Sequence, residues 1–342
     1  MQITTIGLDL AKHVFQVHGI DAEDKVVVRK QLRRSRVIPF FEQLPACLVG
    51  MEACASAHYW ARELSKLGHT VRLMPAKDVK AYVKRNKNDA ADAAAICEAV
   101  TRPTVRSVPV KTPESQARLM QHRARDLLIR QRTQLINALR SHLAELGIVS
   151  AQGREGLKRL LAVLADARDD RLPADARASL AVVVAQIEAC QEQISMLDKR
   201  IHAQHRANEK SRRLETIPGI GVIGATAIAA TVTDPAVFRS GRDFAAWIGL
   251  VPREDSTGGK QRLGHISKQG DRYLRRILIV GAHAVLKQAR LHPDKYPWLV
   301  RLLARRPAKV VAVALANKMA RIAWVLLARG GTYCVPWIEA TC

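Results

Sequence analysis

The chain has 342 residues, 48% of them hydrophobic, which is enough to bury a substantial core and to divide into two or three domains. Lysine and arginine outnumber aspartate and glutamate by 55 to 31, and the resulting formal charge of +24 points to a polyanionic partner, nucleic acid before any other. The basic residues lie in segments of different character and do not gather on one amphipathic anchor, which argues against a membrane surface.

From Thr4 the chain runs TTIGLDLAK, HVFQVHGI and KVVVRKQL, three β-rich pieces parted by polar breaks, and this predicts an antiparallel meander. A helical piece (RSRVIPFFEQL), an apolar strand ending in a carboxylate (ACLVGMEA), a helix (SAHYWARELSKLG) and a further strand (HTVRLMPA) follow. A mixed α/β order with a three-stranded opening is the pattern of the ribonuclease H superfold, with Asp9 at the end of the first strand and Glu52 at the end of the fourth. KNDAADAAAI, Lys87 to Ile96, is an Ala-rich helical run that sets Asp89 and Asp92 on one helix face. Thr101 to Pro113 is proline-punctuated and reads as the domain exit.

Beyond it, Ser115 to Leu146 and Leu180 to His205 carry recurrent apolar positions. They predict an antiparallel helical hairpin or coiled coil, or an ordinary bundle, with a Gly/Pro-containing interruption near Ser150 to Pro173. A third unit opens near Ser211. LETIPGIGVIGATAIAATV has the form of a helix-hairpin-helix whose turn, with Gly219 and Gly221, would present backbone N–H groups to a phosphate; the plainer alternative is a tight turn between core helices. From Arg253 to Ile338 there are 17 Lys or Arg against four acidic residues. Lys260, Arg262, Lys268 and Arg272 are the candidate nucleic-acid contacts around the glycine-rich stretch. The apolar run KVVAVALANKMARIAWVLLARG is interrupted by Asn317, Lys318 and Arg321 and reads as a buried amphipathic helix, not a membrane span.

Four carboxylates from three stretches, Asp9, Glu52, Asp89 and Asp92, form an oxygen-only donor set suited to Mg²⁺, with Mn²⁺ as the alternative. Two such ions about 3.5 to 4 Å apart clamp the attacking and leaving oxygens of a phosphodiester. Singly, each acid has a bland role: a strand end, an exposed residue, a helix cap, or, for Asp92, a pair with Lys84 or Lys87. In DSTGGK, Ser256 precedes a Gly-Gly pair that lets backbone approach a phosphate, and Thr257 is a second hydroxyl. Ser/Thr before Gly-Gly is equally ordinary turn chemistry, so the motif alone leaves a nucleophile and a plain turn both open. His265 is near enough in sequence to orient or deprotonate a neighbour. IGLDLAK also resembles the first phosphate loop of actin-like ATPases, but the further Gly-rich loops and duplicated half of those proteins do not follow. The six cysteines, Cys47, Cys54, Cys97, Cys190, Cys334 and Cys342, show no zinc-ligand spacing and suit reduced core thiols. MQITTIGLDL lacks the features of a secretory signal, and a cytoplasmic location is expected.

IGLDLAK, GMEA, KNDAADA, IPGIG, GLVPREDSTGGKQRLGHISKQGDRYLRR and ALANKMARIAW together resemble the transposases of insertion-sequence family 110, relatives of the pilin-gene DNA invertase, over nearly the whole chain. The resemblance implies a RuvC-like metal-dependent nuclease domain over 1–110, a helical coiled-coil or oligomerisation region over 111–208, and a mainly helical transposase domain with a serine loop over 209–342. It implies Asp9, Glu52, Asp89 and Asp92 as the catalytic metal ligands and Ser256 as a nucleophile that forms a phosphoserine link to DNA. It further implies a noncoding guide RNA pairing with target and donor DNA, a homotetramer assembled from dimers, and action in the bacterial cytosol or nucleoid. The competing expectations are a RuvC-type junction resolvase that uses metal-activated water and a non-catalytic nucleic-acid-binding protein.

Overall fold

The computed structural model describes residues 2–83 and 88–334. The chain divides into two compact units: residues 1–113 with 233–239, and residues 114–232 with 240–342.

The first unit is built on a five-stranded sheet. Its strands are β1 (Thr5–Asp9), β2 (Val14–Ile20), β3 (Val26–Arg33), β4 (Leu48–Glu52) and β5 (Thr70–Met74), in the order β3-β2-β1-β4-β5. The first three form the expected antiparallel meander, and β4 and β5 add in parallel to β1. Helices α1 (Val37–Glu42) and α2 (Ala57–Lys66) cover one face, α3 (Ala76–Val79) is a single turn, and α4 (Asp89–Val100) covers the other. Side chains alternate across a strand, so each strand supplies two cores. Ile6, Leu8, Val49 and Met51 pack with Phe15, Val17, Phe41, Trp60 and Leu64. On the opposite side Met74, Val79, Ala95, Ile96, Ala99 and Val100 form a second cluster.

Two glycines let α4 lie directly on the sheet. A Cβ on Gly7 would stand 2.1 Å from the carbonyl oxygen of Ala93 and 2.4 Å from the amide nitrogen of Cys97. One on Gly50 would meet Val100 Cβ at 2.7 Å. Asn88 starts the helix by accepting the N–H of Ala91 on its side-chain oxygen at 2.7 Å, an N-cap bond that holds the first turn in place. Lys84 and Lys87, the suggested partners of Asp92, lie outside the described residues.

The second unit is mainly helical: α5 (Pro113–Glu145), α6 (Arg154–Ala165), α7 (Ala174–Ala207), α8 (Glu209–Glu215), α9 (Val222–Thr231), α10 (Gly241–Ile248), α11 (Arg272–Leu291), α12 (Pro297–Leu303) and α13 (Ala308–Arg329), with a two-stranded ribbon of β6 (Pro252–Glu254) and β7 (Leu263–Ile266). Between α5 and α7, Arg125 pairs with Asp198 and Arg132 with Gln191, so seven residues forward on one helix are seven back on the other. The two run antiparallel. The stretch expected as an interruption contains α6, which buries Leu160 against Leu139, Leu143 and Leu180 and makes the tip a three-helix core. Its glycine and proline mark helix starts, not a break in helical structure: Gly153 immediately precedes α6 and Pro173 immediately precedes α7.

Helix α13 is long and apolar enough by composition to cross a membrane. Here its Val311, Ala312, Leu315, Ala316, Met319, Ala320 and Ala323 are buried, against α10 and α11 among others. Of the cysteines, Cys47, Cys97 and Cys190 are buried free thiols as expected, whereas Cys54 and Cys334 are exposed. Cys342 lies outside the described residues.

Candidate active site and nucleic-acid surfaces

Asp9 is the last residue of β1 and Glu52 the last of β4, strands that pair in parallel with Gly7 opposite Gly50. Each acid stands two residues beyond its glycine, so both project from the face that α4 covers, at the same end of the sheet. Both are half-buried. Along α4, Cys97 Sγ points back to Thr5 O at 3.9 Å, while Ala93 abuts Gly7. Four helical residues advance about 6 Å and two strand residues about 6.6 Å, so the next turn back, Asp89 to Asp92, comes level with the end of β1. Asp89 is exposed and Asp92 half-buried.

The helix crosses the sheet obliquely. Val100 sits over Gly50 of β4, whereas Asn88, Ala90, Ala91 and Ala94 face Gln16 and His18 of β2. The first turn of α4 is therefore carried from β4 toward β2. Among the described residues no group of three or more His, Cys, Asp or Glu side chains is gathered closely enough to hold a metal ion. The donor chemistry is nonetheless that of a hard divalent cation: carboxylate oxygens only, on two strand ends and one helix turn.

Ser256 lies in the ribbon. Pro252 pairs with Ile266 and Glu254 with Leu263, and Thr257 bridges Lys260 across Gly258 and Gly259, at φ of 59° and 75°. Two central residues with positive φ make a two-residue hairpin turn, a backbone that glycine adopts without strain. Every residue from Arg253 to His265 is exposed. Within this ribbon Ser256 Oγ donates to Glu254 Oε1 at 2.9 Å and accepts the N–H of Arg262 at 3.3 Å. Residues i and i+2 of an extended strand share a side, which is why the two side chains meet. Sequence reasoning missed Glu254; its period-2 offset from Ser256 was the available signal. The residue it named as a base, His265, makes no hydrogen bond to Ser256.

The ribbon is free at its tip and fixed at its base. Arg275, buried on α11, donates to Ile248 O at 2.7 Å and Gln269 O at 2.6 Å. Ser267 N–H donates to Val251 O at 2.8 Å, and Lys268, at φ 54°, donates its N–H to Gly249 O at 3.2 Å. Lys260 and Arg262 are exposed on the ribbon, Lys268 at its base and Arg272 in the first turn of α11.

The IPGIG segment forms a helix, a tight turn and a helix, α8 to α9. Gly219, at φ 91°, packs so closely that a Cβ would stand 2.9 Å from Gly281 O, whereas Gly221, the N-cap of α9, is exposed with no atom within 4 Å of such a Cβ. Gly219 thus serves close packing on α11, and Gly221 is the glycine of the pair open to a ligand.

Residues 6–148 match a family model described as a transposase of the DEDD type, and residues 211–296 match one described as the transposase IS116/IS110/IS902 family. A Pseudomonas aeruginosa protein named "Probable family 20 transposase" is 52% identical over 97% of this chain and 99% of its own length. The transposase for insertion sequence element IS1328 of Yersinia enterocolitica is 39% identical over 97% of this chain and 98% of its own, and that for IS1111A of Coxiella burnetii 38% identical over 97% and 91%.

Proposed function

The chain belongs to the IS116/IS110/IS902 transposase family, a family of DNA-cleaving and rejoining enzymes, and we propose that it exchanges DNA strands through a covalent serine intermediate with the help of a carboxylate-held divalent metal. The observation that carries the serine half is the Ser256–Glu254 hydrogen bond in an exposed, basic ribbon. Glu254 takes the hydroxyl proton as Ser256 Oγ attacks phosphorus. The bond from phosphorus to the leaving sugar oxygen breaks, and that oxygen takes up a proton. The phosphoserine link preserves a phosphodiester, so a hydroxyl of a second strand can reverse the step and rejoin. Lys260 and Arg262 supply charge on the strand that presents the serine, and Gly221 and Lys268 are placed as further backbone contacts.

DEDD transposase domains generally use divalent metal ions. Asp9, Glu52, Asp89 and Asp92 would hold Mg²⁺, or Mn²⁺, which when bound supplies Lewis-acid stabilisation of charge on phosphate oxygens. Asp9 and Glu52, at one end and on one face of the sheet, and Asp89 and Asp92, on the helix turn level with the end of β1, support this assignment. The same reading gives DNA sequence choice to a noncoding guide RNA, a role for which a +24 chain suited to sugar-phosphate backbones is fitted. It also gives the assembly as a tetramer, with the α5–α7 hairpin as the arm that joins subunits, working where bacterial DNA lies.

The test is trapping of protein on DNA. In Mg²⁺, wild-type chain should yield a denaturation-resistant protein–DNA adduct, and Ser256→Ala should yield none while still binding DNA. An adduct undiminished in Ser256→Ala moves the nucleophile to Thr257. Cleavage with no adduct in wild type supports a junction resolvase using water, and salt-sensitive binding with no cleavage a non-catalytic binder.

A further inference from the structure

A cleft of about 400 Å³ opens beside the carboxylates, between α4 and the β2–β3 ribbon. The sheet register explains its lining. On β2, Gln16 lies opposite Asp9 on one side and Gln31 on the other, and His18 lies between Gly7 and Arg29. Gln16 and His18 therefore share the α4 face with Asp9: Gln16 is its direct cross-strand neighbour, and His18 lies two residues along, in the next row with Gly7 and Arg29. The α4 wall is Ala90, Ala91 and Ala94, and their small side chains leave the space open.

Polar groups inside it lack partners. Gln16 and His18 are 8% and 9% exposed, and neither side chain hydrogen-bonds to another described residue. Both line the open cleft, so their polar atoms are presented to an incoming ligand. Burial and the neighbouring Arg29 hold the His18 pKa below its ordinary value, which leaves a neutral imidazole with one N–H to donate. Arg29 is exposed at the rim and forms no ion pair with any described residue. Lys30, the next residue on β3, points to the opposite face, its ammonium 5.8 Å from the centre of the Phe40 ring.

We infer that this cleft is a binding subsite for the sugar-phosphate backbone of a nucleic-acid strand entering next to Asp9, with Arg29 on a phosphate and Gln16 and His18 donating to its oxygens. A guanidinium with two neutral donors is the chemistry of a phosphodiester; Gln16 stands one cross-strand spacing, roughly 5 Å between Cβ atoms, from Asp9, and His18 and Arg29 extend the subsite into the adjoining row. The inference rests on the reading of Asp9 as part of that centre.

The experiment measures the salt dependence of binding of the full chain to fluorescein-labelled oligonucleotides of one sequence, as single-stranded DNA, duplex DNA and single-stranded RNA. One phosphate contact contributes about 0.7 to 0.9 to the slope of log K against log salt. Arg29→Ala should lower that slope by about this amount on at least one probe, Arg29→Lys should restore it, and Lys30→Ala should leave it unchanged. The probe affected identifies the strand. A wild-type slope in Arg29→Ala on all three probes, or an equal loss in Lys30→Ala, overturns the subsite. Gln16→Asn, which keeps the donor on a shorter arm, should weaken binding on the same probe as Arg29→Ala; full affinity there also counts against it. Cleavage by Asp9→Asn is scored separately. If that variant cuts normally the reading of the centre fails, whatever the Arg29 slope shows.

Discussion

Gly7→Ala is the sharpest test of how the sheet and α4 position the carboxylates. The added Cβ would stand 2.1 Å from Ala93 O and 2.4 Å from Cys97 N, both backbone atoms of a helix that cannot rotate away as a side chain can. Ordinary contact begins near 3.4 Å, so α4 must retreat by about 1 Å. Overpacking of this kind costs about 1–3 kcal/mol, read as a lower urea midpoint at unchanged m-value. The same retreat moves Asp89 and Asp92 relative to Asp9, and a misplacement of about 1 Å in a catalytic constellation costs on the order of 10²-fold in rate. Gly50→Ala meets Val100 Cβ at 2.7 Å, asks for a smaller retreat and should lose less on both counts. Strand cleavage and urea unfolding of the two variants side by side make the check. Wild-type stability in Gly7→Ala would refute the close packing, and a stability loss without a cleavage loss would refute the role of α4 in the site.

Glu254→Gln keeps the hydrogen bond to Ser256 but cannot accept its proton, so covalent adduct formation should slow by about 10²-fold or more while DNA affinity changes little; an undiminished rate removes Glu254 as the base. Arg275→Ala removes two charge-assisted bonds, to Ile248 O and Gln269 O, and should lower unfolding stability by about 2–4 kcal/mol and raise proteolytic nicking within 252–266. His122, buried between α5 and α11 with Nδ1 3.1 Å from the Tyr273 hydroxyl, has its pKa pushed down to about 4 by burial and then by Arg125. The folded state therefore binds fewer protons than the unfolded one between pH 6.5 and 4. Stability is full above the unfolded pKa and falls with pH across that window, by up to about 3 kcal/mol. His122→Gln should flatten the urea-midpoint profile there, and an unaltered profile would show that His122 is not its source.

The first unit was legible because its signals are local and periodic. Alternating apolar residues in TIGLD, VFQVHGI and LVGME give strands, and placing Asp9 and Glu52 at strand ends needs only that alternation. What periodicity cannot supply is the crossing angle of α4, which depends on the missing Cβ atoms of Gly7 and Gly50, two residues far apart in sequence from the helix they admit. That angle decides how near Asp89 and Asp92 come to Glu52. The helix α6 was hidden for a different reason: the glycine before it and the proline that opens the next helix look like interruptions, and the amphipathic run is short. Gly219 shows the limit of motif reading, since its positive φ suits a phosphate turn and a packed turn alike, and only the approach of Gly281 O separates the two.

The two halves of the proposed chemistry are built in opposite ways, and the difference explains the basic excess. The carboxylates sit on strand ends and a capped helix, elements whose positions are fixed by a closed core. Ser256 is two residues before the Gly258–Gly259 tip of an exposed hairpin whose ties to the rest of the unit lie at the base, where Arg275 and the Lys268 N–H hold the strands. On the proposed reading the serine's activation is local, through its hydrogen bond to Glu254. Its aim at a phosphate is not, because a Cβ on Gly258 or Gly259 at the ribbon tip would meet no atom of the described residues within 4 Å. The bound strand would then complete the alignment, with Lys260 and Arg262 on the ribbon and Arg29 beside the carboxylates as its proposed contacts. On the proposed reading, a serine aimed only by the seated strand cannot cleave before that strand is in place, and in a strand-exchange enzyme that restraint guards against unpaired breaks.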